Sequence, residues 1–322
     1  MPVSRRSFLK KSTFAAGFTL TIPKSVTDLF TSKKKIKLGL ITDLHAEIIH
    51  DASIRLEEFL KAVSQENPAA RFQLGDFATP NPKFHSLIQR FNNAPGLAFH
   101  VLGNHDQDGG YTKSEVASHY GMPASYYSLD VEGIKVLVLD GNESGSPTHR
   151  GGYPSYIGME QQQWLIHELQ KADSPVLILS HQPIAGIYSI DNSEEIQGIL
   201  SEFSGKILLA INGHAHVDQF LEVGGVRYLH LNSASYYWVG ENLAHQSLGS
   251  EIHDNFPALK NTCPYAEVLF SFLTIDPSKN EISLKGKKTR WVGPSPLELG
   301  YSILSKEEQL DYVNPQISNR RM

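Results

Sequence analysis

A chain of 322 residues is long enough for one large α/β domain or two small ones. Hydrophobic content of 40% with 20% charged residues is that of a globular protein, and beyond the leader no apolar run is long enough to span a bilayer. The single cysteine, Cys263, excludes an intramolecular disulfide, and the excess of 34 acidic over 29 basic residues argues against a nucleic-acid polymer, which is gripped through lysine and arginine.

The chain opens with Ser4-Arg5-Arg6-Ser7-Phe8-Leu9-Lys10, then a short, weakly apolar run from Ser12 to Ile22, then Pro23. A basic segment before a brief apolar one is the layout of a cleavable export signal. The paired arginines ahead of Phe-Leu-Lys resemble the bacterial twin-arginine signal, an address read by a receptor and not an anchor. That resemblance implies passage through the twin-arginine translocase to the periplasm. Residues 1–32 are then signal and linker, with no stable membrane span after cleavage. No Ala-x-Ala site follows, so the point of cleavage stays open. Residues 1–24 hold five basic residues and no acidic ones, which leaves the remainder with a formal charge of −10.

Ile36 to Ile41 alternates and then turns apolar, as a strand entering a sheet does, and ends in Thr42-Asp43-Leu44-His45. A helix is expected next, with Ile54, Leu56, Phe59, Leu60 and Val63 on one face, stopping near Asn67-Pro68. A short strand at Phe72-Gln73-Leu74 ends in Gly75-Asp76. A second helix is expected from about Pro82 to Phe91, and a third strand from Leu97 to Leu102 ends in Gly103-Asn104-His105-Asp106. Strands alternating with helices at this spacing predict parallel pairing, with ligands bound beyond the carboxyl ends of the strands.

A hairpin is predicted around Glu132-Gly133, followed after Asp140 by a loop from Gly141 to Gly158 that leaves the same kind of strand end. A helix over Gln161–Gln170 carries Trp164, Leu165 and Leu169. Val176 to Leu179 is a buried strand ending in Ser180-His181. A helix over Ser193–Phe203 then leads to the apolar run Lys206–Ile211, which ends in Asn212-Gly213-His214-Ala215-His216. Gly213 is expected to let the chain turn there. Gly224-Gly225 marks another hairpin, Asn232 to Trp238 an aromatic-rich strand end, and Asp276 to Asn280 a last hairpin between Tyr265–Ile275 and Glu281–Leu284. Residues 240–263 read as irregular, and the tail 294–322 carries no clear core pattern. No second folding unit is visible, so residues 33–293 form one expected domain.

The polar strand ends collect Asp43, His45, Asp76, Asn104, His105, Asp106, His181, His214 and His216, all metal-ligand or acid–base types. Carboxylate, imidazole and amide oxygen together suit divalent manganese, iron or zinc. Five pieces appear in order: Asp-x-His, Gly-Asp, Gly-Asn-His-Asp, a lone histidine after an apolar strand, and Gly-His-x-His. Together they resemble the calcineurin-like metallophosphoesterases. The resemblance spans residues 36 to about 238.

What the resemblance implies can be placed on this chain. The fold would be a four-layer α-β-β-α sandwich of two mixed sheets. Asp43, His45 and His216 would hold one metal, and Asn104, His181 and His214 the other. Asp76 would bridge the two. The ions would be Mn²⁺ or Fe²⁺, with Zn²⁺ as a third candidate, and a hydroxide bridging them would attack the phosphorus. His105 would protonate the leaving oxygen or stabilise the phosphoryl charge, and Asp106 would orient His105 through its other ring nitrogen. The implied activity is hydrolysis of a small phosphodiester or phosphomonoester. Purple acid phosphatases carry Asp-x-Gly and a tyrosine where this chain has His45 and Thr79, so the start looks closer to the cyclic-nucleotide phosphodiesterase and nucleotide pyrophosphatase branches. Three alternatives stay open: a pyrophosphatase of nucleotide-sugar or ADP-ribose type, a catalytically silent metal-bearing binding protein, and a metal-storage protein. Arg150, Tyr111, Tyr153, Tyr236, Tyr237 and Trp238 are candidate pocket residues.

Overall fold

The computed structural model describes residues 24–302 and 311–322. The export signal expected over residues 1–32 therefore lies, as far as residue 23, outside the described residues. Among the described residues no helix is long and apolar enough to cross a membrane.

Two six-stranded mixed sheets form the molecule. In the first, β1 (Ile36–Ile41), β2 (Ala70–Gln73) and β3 (Leu97–His100) run parallel. Further strands add antiparallel on the other side of β1: β12 (Ser271–Asp276), β13 (Glu281–Lys285) and β16 (Arg320–Arg321). In the second, β5 (Ile134–Val138), β6 (Val176–Leu179), β7 (Ile207–Asn212) and β9 (Val226–His230) are parallel, closed at the edges by antiparallel β4 (Tyr127–Val131) and β8 (Gln219–Val223). The predicted hairpins at Glu132-Gly133 and Gly224-Gly225 are the β4–β5 and β8–β9 turns.

The sheets are buried on both faces, which is why their central strands read as continuous apolar runs. Strand β6 divides its side chains between two cores, as a period of two requires. Leu177 and Leu179 join the central core with Leu38, Leu40 and Phe72 of the first sheet. Val176 and Ile178 pack outward against Leu165 and Leu169 of α4 (Met159–Lys171) and Ile196 and Leu200 of α5 (Ser193–Glu202). On the first sheet, α1 (Ala52–Glu66) lays Leu56, Phe59 and Val63 inward, beside α2 (His85–Asn93) with Leu87, Ile88 and Phe91. The result is the expected four layers.

A helix just before β4 escaped the sequence reading. α3 (Lys113–Tyr120) starts at Thr112, whose hydroxyl accepts from the Glu115 backbone N–H while the Glu115 carboxylate accepts from the Thr112 N–H. This reciprocal cap satisfies two otherwise orphaned donors. The stretch 240–263 holds a short helix, α6 (Ser250–Asn255), between two 3₁₀ turns, and β11 (Thr262–Pro264), which pairs with β10 (Tyr236–Trp238). The described part of the tail is packed. Two-residue strand β15 (Gln316–Ile317) pairs with β14 (Lys287–Lys288), and β16 extends the first sheet. Asp218 anchors this arm: its carboxylate accepts from the Ser318 N–H at 3.0 Å and from the Arg320 guanidinium at 2.7 Å.

The carboxyl ends of β1, β2, β6 and β7 are laced together by backbone bonds. Asp43 N–H donates to Gly75 O at 3.0 Å, His45 N–H to Asp76 O at 2.9 Å, and Gly213 N–H to His181 O at 3.1 Å. Such close approach leaves no room for side chains at three motif glycines, Gly75, Gly103 and Gly213. A Cβ on Gly103 would stand 2.1 Å from the Asp76 backbone nitrogen, and one on Gly213 would stand 2.0 Å from Thr42 Oγ1. Gly213 is thus present for contact rather than for the turn that its sequence position suggests. The left-handed backbone falls instead on His214 and His216. We expect Gly103→Ala to destabilise the protein by about 3 kcal/mol or more, because the obstacle is backbone and cannot swing aside. Urea denaturation of the variant measures this.

Candidate metal centre

Four strand ends supply two groups of donor atoms. Asp43, His45 and His216 form one, and Asp76, His181 and His214 the other; within each, the ligand atoms lie no more than 4.8 Å apart. Asp43, His45, Asp76, His214 and His216 all hold positive φ, between 49° and 64°. Left-handed backbone at non-glycine residues costs on the order of 1–3 kcal/mol each and persists where the surroundings over-determine it. Here it aims five side chains from neighbouring strand ends at the two ligand groups.

Asp76 lies between the groups. Its Oδ2 is 3.1 Å from His181 Nε2 and 3.6 Å from His45 Nε2, while Oδ1 accepts the His105 backbone N–H at 2.8 Å. Asp43 Oδ1 is 3.2 Å from His216 Nε2, and its carboxylate also accepts the His214 backbone N–H. Asn104 joins the second group through Oδ1, 3.1 Å from His181 Nε2. All seven residues predicted as ligands therefore meet at one place.

The donor set fits divalent ions on its own chemistry. His181 Nδ1–H donates to Leu74 O and His216 Nδ1–H to Tyr236 O, each at 2.8 Å. That fixes both tautomers and turns the Nε2 lone pairs inward. His181 Nε2 then faces two oxygens, from Asp76 and Asn104. His216 Nε2 faces Asp43 Oδ1 and, at 3.2 Å, His45 Nε2. Lone pairs directed at lone pairs in a buried site call for a proton or a cation between them.

The electrostatics of these side chains agree. Burial holds His45 and His214 down to about 3, so both stay neutral. Burial would also lower His181, but the carboxylates of Asp76 and Asp43 outweigh it and raise it to about 9. Asp43 stays ionised: burial would raise it, and the surrounding histidines pull it to about 2. At pH 7 a proton thus occupies the Nε2 of His181 where a metal would sit. Metal binding must expel it, so affinity should fall about tenfold per pH unit below about 9, and uptake at pH 7 should release at least one proton. Calorimetric titration with Mn²⁺ in two buffers of different ionisation enthalpy reads that release.

His105 stands beside these groups, its ring edge-on to His45 with centroids 5.2 Å apart. The expected Asp106–His105 contact is not made. The Asp106 carboxylate turns inward and accepts the backbone N–H groups of Gly103 at 2.7 Å and Phe77 at 2.8 Å, with the Tyr120 hydroxyl at 2.8 Å. Its work is to hold the β2 and β3 ends together. The partner of His105 is Asp108, whose Oδ2 lies 2.7 Å from Nδ1. The Tyr153 hydroxyl donates to the other Asp108 oxygen at 2.7 Å and lies 3.1 Å from the same Nδ1. Tyr153 comes from the Gly141–Gly158 loop, so that loop does border the site. With Nδ1–H given to Asp108, His105 presents Nε2 to the cavity. Burial opposes its protonation, but Asp76 and Asp108 lift it to about 9.

A cavity of about 350 Å³ opens above the centre. Of the candidate pocket residues, Tyr236, Tyr237 and Trp238 line it, whereas the exposed Arg150 and the half-buried Tyr111 do not. Tyr188 and Tyr301, which the sequence reading passed over, do line it.

The calcineurin-like phosphoesterase family model matches residues 36–218, more than half of the chain. The chain belongs to the calcineurin-like phosphoesterase family. It is accordingly a phosphoric-ester hydrolase, and its clustered ligands make a dinuclear divalent site. Solved structures share the fold. A dimetal phosphatase from Danio rerio superposes with a TM-score of 0.56 at 15% identity, covering 80% of this chain and 98% of that one. Plasmodium GAP50, described as the anchor in the inner membrane complex, superposes with a TM-score of 0.51 at 13% identity, covering 80% and 85%. At such identities both speak to the fold alone. No curated protein matches the chain in sequence.

Proposed function

We propose that this calcineurin-like phosphoesterase is an exported enzyme that hydrolyses a small phosphodiester or phosphomonoester. The observation that carries the proposal is Asp76, one carboxylate within 3.6 Å of a histidine from each ligand group. In this reading Asp43, His45 and His216 hold one ion and Asn104, His181 and His214 the other, with Asp76 shared. Two divalent ions there supply Lewis acidity and an activated water. Manganese or iron suits the mixed oxygen and nitrogen donors, with zinc third.

The remaining steps fall to the chain's own groups. His105 carries a proton on Nε2 at neutral pH and delivers it to the departing alkoxide oxygen, while Asp108 keeps the ring oriented from the other side. Tyr153 fixes Asp108. Export through the twin-arginine translocase rests on the Arg5-Arg6 leader and suits a centre assembled before transport.

The test is hydrolysis of bis(p-nitrophenyl) phosphate by the chain without its leader. Turnover with manganese that chelator abolishes supports the proposal, and the ratio to p-nitrophenyl phosphate sorts diester from monoester preference. Metal-loaded protein with no turnover on either ester contradicts it.

A further inference from the structure

The cavity has two unlike sides. Its floor is the metal centre: His45, Asp76, His105, His214 and His216. Its wall is aromatic, built by Tyr188, Tyr236, Tyr237, Trp238 and Tyr301. Among the described residues that line it there is no lysine or arginine, and the only carboxylate is Asp76, which belongs to the floor.

The wall is built rather than incidental. Tyr236 and Tyr237 are buried, whereas Trp238 and Tyr188, which also line the cavity, are 42% and 44% exposed. Tyr188 holds φ 55°, a left-handed backbone that an aromatic residue rarely adopts. What holds it there includes its hydroxyl, 3.2 Å from that of Tyr301, which in turn accepts from the Tyr237 hydroxyl at 3.1 Å. Three phenols from three separate segments thus lock one ring at the mouth. Tyr237 and Tyr301 pack edge to face, with centroids 5.3 Å apart.

We infer that this wall is the subsite for the organic group of the ester, and that it takes an uncharged planar ring. The inference rests on the phosphoesterase reading, which places the phosphoryl group on the floor and leaves the cavity for the rest of the substrate. Exposed aromatic faces stack on planar rings. Apart from His105, which serves the scissile phosphoryl group, a second phosphate would meet no cationic donor among the described lining residues, and desolvated anions need such partners. A quaternary ammonium would find aromatic faces but, among the described lining residues, no carboxylate outside the metal floor to balance it. The favoured substrates are therefore phosphoesters of ring-bearing neutral alcohols, such as aryl or nucleoside groups, rather than pyrophosphate-bridged compounds.

Binding of methylphosphonate and phenylphosphonate to the manganese-loaded protein, followed by calorimetry, tests this without turnover. The two probes share the anion and differ by the ring. Phenylphosphonate should bind about tenfold more tightly. Trp238→Ala, an exposed position that leaves the core intact, should remove most of that gap with methylphosphonate unchanged, and Tyr188→Ala should do the same. Equal affinity for both probes in the unaltered protein overturns the subsite while leaving the phosphoesterase reading in place. Tighter binding of 2-(trimethylammonio)ethylphosphonate than of phenylphosphonate overturns the uncharged assignment. If neither phosphonate binds, the reading of the site as one for a small phosphoester fails and takes the subsite with it.

Discussion

Replacing Asp76 by asparagine will strip the metal centre and abolish hydrolysis. The carboxylate is buried, with one oxygen near a histidine of each ligand group and the other fixed by the His105 backbone N–H. Asparagine keeps the size and one oxygen, so that hydrogen bond survives. It removes the anionic charge and the second oxygen donor, which two cations need from one side chain. Losing even an outer partner of a ligand costs about 10–100-fold in metal affinity. Losing a shared ligand should cost more, with metal content falling from two ions per chain to fewer than one. Elemental analysis after gel filtration decides it; a variant that kept both ions would remove Asp76 from the bridging position.

His105→Ala should act oppositely, silencing the chemistry and sparing the metals. The imidazole belongs to neither ligand group, and its Nδ1 is committed to Asp108. General acid catalysis is worth about 10²–10⁴-fold, so kcat should fall by that order with two ions still bound. Esters with a good leaving group, which need little protonation, should lose less. An emptied site in this variant would make His105 a ligand and the proposed division of roles wrong.

The clustering of the candidate ligands was legible because all but Asn104 follow a buried strand, and parallel strands deliver their ends to one edge. Asp43, Asp76, Asn104, His181 and His214 could be placed from that rule alone. Asp106 misled because sequence adjacency to His105 was taken for contact. Residues His105–Gln107 form a 3₁₀ turn, in which side chains three apart eclipse. Asp108, at i+3, therefore meets the His105 ring, while Asp106 points back at the backbone of β2 and β3.

The aromatic wall was half legible. Tyr236, Tyr237 and Trp238 sit together in the chain, but Tyr188 and Tyr301 meet across 113 positions. Tyr301 comes from a tail whose two-residue strands are too short to show any periodicity. The helix at Lys113–Tyr120, by contrast, announced itself in Thr112-x-x-Glu115, a cap that its weakly patterned apolar face made easy to overlook.

The central claim is that two ions sit between these strand ends. An anomalous difference map from crystals grown with manganese tests it most directly. The account predicts two peaks about 3.5–4 Å apart, one beside Asp43, His45 and His216, the other beside Asn104, His181 and His214, with Asp76 touching both. A single peak, or peaks away from these side chains, would contradict it.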